Sequence, residues 1–120
     1  MSGIYYNPEE YGVRLVGSVD LGSYDWCGLY VFQREADGAL LWGTDSGCSC
    51  YGPFDNEGAE ALESVPVGYG TKWRAWYRDN ARSYGEFDSE RDALEKLIGK
   101  VGQILSEQRR VQLRKVGHDG

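Results

Sequence analysis

Three cysteines and one histidine are the residues of this 120-residue chain best suited to metal or redox chemistry. Cys48 and Cys50 stand one residue apart inside Thr44-Asp45-Ser46-Gly47-Cys48-Ser49-Cys50-Tyr51-Gly52-Pro53-Phe54-Asp55, Cys27 lies well upstream, and His118 lies near the end. Structural zinc asks for four ligands, usually as two closely spaced Cys or His pairs. One close pair, one distant thiol and one terminal imidazole do not make that set. No cofactor is therefore expected, zinc at Cys48 and Cys50 included. Thiol–disulfide catalysts place two residues between their cysteines, and here there is one. The expectation is a structural loop, with Cys48 and Cys50 as free thiols packed like small hydrophobes beneath a tight glycine turn.

Other catalytic constellations are missing. Ser46 and Ser49 have no evident base, and His118 sits where little would orient it. Carboxylates are plentiful, but no spacing singles out a pair. Gly68-Tyr69-Gly70 lacks the helix and the lysine of a phosphate-binding loop. The chain is read as non-enzymatic. The loop residues Asp45, Ser46, Cys48, Cys50, Tyr51 and Phe54 remain of interest as a contact surface rather than a reaction centre.

Two stretches carry binding chemistry. In Trp73-Arg74-Ala75-Trp76-Tyr77-Arg78, aromatic and basic residues are interleaved. Read with a period of two, Lys72 to Tyr77 is a strand, with Arg74, Trp76 and Arg78 on one exposed side and Arg82 in the turn that follows. The second stretch is the end of a long helix, where Arg109, Arg110, Leu113 and Arg114 extend beyond the apolar stripe. It is amphipathic and basic, suited to a protein partner or to the acidic half of a second copy, hence an expected dimer.

The elements that position these residues follow from periodicity and turn chemistry. Residues 11 to 21 alternate, with Val13, Leu15, Gly17 and Val19 on one side, and Cys27 to Glu35 alternates with Leu29 and Val31 opposite Tyr30 and Phe32. Leu21 to Asp25 is a turn. Ala36-Asp37-Gly38 closes a hairpin, because Asp-Gly supplies the positive φ a tight turn needs, and Ala39 to Thr44 returns as the third strand. Asp55 to Ser64 predicts a short helix of two turns, and Val65 to Gly70 a linker. Ser83 to Phe87 predicts one more strand. Ser89 is a natural N-cap, and Leu94, Leu97 or Ile98, Val101, Ile104 or Leu105, and then Val111 mark a stripe for a helix ending about Arg114. The fold class is therefore α+β, one domain over residues 1–120. It has a single antiparallel sheet of about five strands, with a long C-terminal helix packed on it. Residues 1–10 and 116–120 are expected to be flexible.

Two resemblances attach to these segments. Trp42-x-Thr44-Asp45-Ser46-Gly47-Cys48-Ser49-Cys50, followed by Pro53-Phe54-Asp55, resembles a signature in small uncharacterised proteins of bacteriophages that infect actinobacteria. It covers roughly Gly28 to Asp55 and implies phage origin and a site of action in the bacterial cytoplasm, with no chemistry attached. Trp73 to Arg78, continuing through Gly85-Glu86-Phe87-Asp88-Ser89-Glu90, resembles the strand–turn–strand–helix segment of small integrase-type DNA-binding domains. That resemblance implies phosphate contacts from Arg74, Arg78 and Arg82.

Charge weighs between the partner classes. The net charge is −6, split as −9 through Gly70 and +3 from Thr71 onward. Nucleic-acid affinity rests on excess Lys and Arg, so the acidity argues against it, though not against a local basic contact or an acidic mimic of DNA. No apolar stretch approaches the ~20 residues of a membrane span, and the polar, tyrosine-rich first ten residues lack an apolar leader. With three cysteines, that points to a reducing cytoplasm. The expectation is a phage protein that binds a host protein, in host takeover or counter-defence. The alternatives are a DNA-binding accessory protein and a DNA mimic.

Overall fold

The computed structural model describes residues 3–50, 52–55, 57–84 and 88–118. Four antiparallel strands form one sheet in sequence order: β1 (Val13–Gly22), β2 (Asp25–Arg34), β3 (Leu40–Cys48) and the two-residue β4 (Glu63–Ser64). Helix α1 (Tyr69–Tyr84) and helix α2 (Asp88–His118) follow. The architecture is α+β, as the sequence predicts, with four strands among the described residues rather than about five.

The meander forms where alternation and turn residues place it. Gly22 and Gly38, at φ 87° and 75°, supply the left-handed positions of its two turns. At the second turn the Arg34 guanidinium forks onto Asp37, whose carboxylate also accepts the Ala39 N–H at 3.0 Å. Those bonds hold the Asp37 carboxyl down to about 2.

One residue out of step sets the sidedness of β1. The pairing runs Leu15 with Phe32 and then Gly17 with Val31, leaving Val16 as a bulge. Before it, Val13 joins Ile4, Tyr30, Phe32, Leu41 and Phe54 on the outer face; after it, Val19 and Leu21 join Leu29, Val31 and Trp42 on the helix face. The strict alternation that puts Val13, Leu15, Gly17 and Val19 on one side is thereby corrected. Both faces of β2 are covered, so Leu29, Tyr30, Val31 and Phe32 are all fully buried.

The largest correction concerns residues 69–84. They are a helix, not a linker followed by a strand. Trp73, Tyr77 and Ala81 are its buried residues, and that four-residue spacing is the helical stripe. Trp73 is fully buried against Trp42, with ring centroids 5.7 Å apart. Aromatic residues fit strands well, and Trp73, Ala75 and Tyr77 satisfy a period of two as readily as part of a helix. The strand expected from Ser83 to Phe87 is contradicted at Ser83 and Tyr84, which are helical; residues 85–87 lie outside the described ones.

Smaller differences follow. The helix expected between Asp55 and Ser64 is a 3-10 turn at Ala59–Ala61, followed by β4. Ser89 lies inside α2 rather than capping it, and α2 continues past Arg114 to His118. Near the N-terminus, Ile4 is fully buried and its N–H donates to the Glu57 carbonyl at 2.8 Å, so the segment expected to be loose packs on the outer face. Leu94, Leu97 and Val101 of α2 are buried on the sheet as the stripe predicts. Gly17 lets α2 approach: a Cβ there would lie 2.8 Å from Leu97 Cδ1. Lys100 reaches the bulge and donates to the Val16 carbonyl at 2.9 Å.

Candidate functional site

The four-residue spacing that buries Trp73, Tyr77 and Ala81 also collects Arg74, Arg78 and Arg82, each one position later, on an exposed flank of α1. They line a groove of about 410 Å³ between α1 and α2, into which α2 contributes Arg91 and Glu95. Tyr77, Ala81 and Leu94 line it beneath the arginines, and despite four guanidinium groups the lining is predominantly apolar.

One end of the groove is already occupied by the chain itself. Arg74 Nε and one terminal nitrogen donate to the two Glu95 carboxylate oxygens, both at 2.9 Å. This fork-to-carboxylate pairing ties the helices together. The guanidinium holds the Glu95 carboxyl below the usual range, and the carboxylate raises the Arg74 pKa. Arg78 and Arg82 are exposed and make no ion pair among the described residues. Among the described residues that line the groove, four are arginines and one is a glutamate.

Sequence reasoning brings Arg74, Arg78 and Arg82 together correctly, but for the wrong element, and it overlooks Arg91. The signal was available: positions 74, 78 and 82 repeat every four residues. Trp76 does not join them. It turns toward the sheet and lines a separate cavity of about 360 Å³ with Cys27, Thr44, Asp45, Ser46, Asn80 and Tyr84. In that cavity the Cys27 thiol donates to Asn80 Oδ1 at 3.4 Å, and Asn80 Nδ2 donates to the Trp76 carbonyl at 2.8 Å. Burial and nearby Asp45 push the Cys27 thiol up, away from the thiolate a nucleophile needs.

The cysteine loop differs from expectation. Cys48 and Cys50 are joined in a disulfide, Cys48 half-buried and Cys50 exposed, whereas Cys27 is the buried free cysteine. Two residues apart at the end of a strand, the sulfurs are near enough to bond, and the packed-thiol reading overlooked that proximity. In this state neither sulfur is a thiolate. Among the described residues no group of three or more His, Cys, Asp or Glu is placed to hold a metal ion. Asp45 anchors the loop, accepting the Ser46 N–H at 2.9 Å and the Phe54 N–H at 2.8 Å. Phe54, at φ 51°, is thereby turned into the outer core against Tyr30. Trp26 Nε1 donates to the Cys48 carbonyl at 2.9 Å, and Ser46 is exposed beside it. Tyr51 lies outside the described residues.

At the far end of α2, Arg109, Arg110, Leu113 and Arg114 are all exposed, Leu113 at 64%. The helix is held one turn further than its apolar stripe implies, because Gln108 Nε2 donates to the Gly38 carbonyl at 2.6 Å. No helix among the described residues is long and apolar enough to cross a membrane.

No curated protein and no solved structure matches the chain. A family does match, over residues 2–104, a span that includes the sheet, α1 and every arginine of the groove, and that ends before Arg109. The chain accordingly belongs to the family described as Domain of unknown function (DUF7574).

Proposed function

We propose that this protein is a non-enzymatic binding module that captures a protein partner through the arginine groove between α1 and α2. The observation that carries the reading is the pair Arg78 and Arg82, exposed and without ion-pair partners among the described residues, beside a groove with a largely apolar lining. Clustered unpaired charge beside an apolar surface is characteristic of a docking site, where a complementary partner gains both orientation and encounter rate. The resemblance of the Asp45 to Cys50 loop to actinobacteriophage proteins makes a host protein, in the cytoplasm of an infected cell, the partner we favour.

A nucleic-acid reading rests on the same arginines and is the weaker one. Arg74 to Arg82 spans about 12 Å of helix at the usual rise. Arg74 is already committed to Glu95, and the first 70 residues carry −9, which repels a phosphate backbone. The test is retention from host lysate on the immobilised chain and on an Arg78→Glu/Arg82→Glu variant, each with and without nuclease. A protein retained by the first, lost from the second and insensitive to nuclease supports the reading. Nuclease-sensitive retention transfers it to nucleic acid, and retention unaffected by the charge reversal refutes it.

A further inference from the structure

We infer that the groove recognises a short linear segment in which one bulky apolar residue is flanked by carboxylates. The inference rests on the protein-binding reading above and adds the chemistry of what is bound. Three observations define it. The lining includes Tyr77, Ala81 and Leu94 and is predominantly apolar, so an apolar side chain entering the groove displaces water from apolar surface. The rim carries Arg78 and Arg82 from α1, with Arg91 facing them from α2. Finally, the groove contains a worked example of its own preference: Glu95 meets Arg74 through two parallel bonds of 2.9 Å. Carboxylates from a partner would repeat that geometry at Arg78 and Arg82, where planar forks favour bidentate oxyanions.

The size fits. A groove of about 410 Å³ lies at the lower end of the range of about 300–1,000 Å³ typical of ligand clefts, enough for one large side chain and its neighbours. A bare phosphate leaves the apolar lining uncovered, and an aliphatic segment alone brings no carboxylate to Arg78 and Arg82. An acid-flanked Leu, Ile, Phe or Trp satisfies both. Such a residue would be the anchor, and the carboxylates would set register and partner choice.

A randomised nonamer peptide library, selected in parallel on the full chain and on the Arg78→Glu/Arg82→Glu variant, tests this. Sequences enriched on the full chain alone should combine Asp or Glu with one large apolar residue. Fluorescence anisotropy of an enriched peptide should then show saturable binding that weakens at least about tenfold when the apolar residue becomes Ala. An Arg78→Ala/Arg82→Ala variant, checked by circular dichroism, guards against misfolding of the reversed one. Enrichment without acids, enrichment without an apolar residue, or unchanged affinity on the Ala replacement overturns the inference. So does a single-stranded oligonucleotide that binds more tightly than the peptide. If the charge reversal abolishes partner retention while no peptide is enriched, only the linear-segment reading falls. If retention survives the reversal, both fall.

Discussion

Gly28 offers a sharp test of how the outer core is built. It sits on β2, and the ring of Tyr30, two residues on, lies directly over it. A Cβ at Gly28 would lie 2.7 Å from Tyr30 Cε2 and nearer still to its Cζ and hydroxyl. Ordinary carbon contacts are about 3.5–4.0 Å, so the ring would have to move by about 1 Å or more. It has nowhere to go: Tyr30 is fully buried, with Tyr5 and Phe54 edge-on at 5.3 and 5.5 Å between centroids. Movement would also break the 2.7 Å bond from its hydroxyl to Asp20. Overpacking of this kind costs about 1–3 kcal/mol. A lost hydrogen bond to an exposed carboxylate adds about 1 kcal/mol. Against that, Gly→Ala stiffens the unfolded chain by about 0.4–1 kcal/mol. Gly28→Ala should therefore destabilise the protein by about 2–3 kcal/mol, lowering Tm by roughly 6–15 °C for a domain of this size. Thermal and urea unfolding followed by circular dichroism would measure it. Gly17→Ala is the control. It makes the same change on the opposite face, where the Cβ would crowd only the end of Leu97, and it should cost about 1 kcal/mol or less. A Gly28→Ala variant within 3 °C of wild type, or no worse than Gly17→Ala, would refute the reasoning.

Two further outcomes follow from the same geometry. Burial, with the bond to Asp20 next, pushes the Tyr30 phenol far above its ordinary value near 10, so its contribution to stability is complete below about pH 10 and is lost as pH rises beyond it. Urea midpoints at pH 9 and pH 11 should fall less in Tyr30→Phe than in wild type; equal falls would remove Tyr30 as a cause. Ending the chain after Leu105 spares Leu94, Leu97 and Val101 but removes the Gln108 bond to the Gly38 carbonyl, costing about 1 kcal/mol. If the basic end of α2 pairs two copies, as its sequence leads one to expect, sedimentation should show a dimer for the full chain and a monomer for the shortened one. Identical sedimentation would end that expectation, and outright unfolding would make the extension part of the core.

The meander was legible because its signals are local. Asp37-Gly38 announces the hairpin, and Leu29 to Phe32 declares a strand by β-branched and aromatic content. Helix α1 was not, because Trp73, Ala75 and Tyr77 fit a period of two as well as a helix, and their aromatic rings favour the strand reading. Only when positions 73, 77 and 81 are set beside 74, 78 and 82 do two helical faces separate, one apolar and one basic. The groove itself depends on α2 crossing beside α1, and nothing near Arg91 signals that neighbour. Likewise Trp76 shares its expected face with the arginines only in a strand; wound into a helix, it turns toward Cys27 and Ser46. The bulge at Val16 left no trace either, since Val fits a strand as readily on one face as on the other.

That bulge determines where the chain can change its length. Strip Val16 from β1, and Leu15 still faces Phe32 while Gly17 still faces Val31, now as consecutive rungs of an uninterrupted ladder. The outer core keeps its side chains, and the helix-facing core loses only the buried Val16, together with the carbonyl that Lys100 grips. Removing a residue such as Asp20 is another matter, because one flank of the gap must slide by a step and every side chain on it changes sides. The strand therefore contains one position whose removal leaves the pairing intact, set at the boundary between its two halves, where the helix-facing and outer cores meet along one backbone.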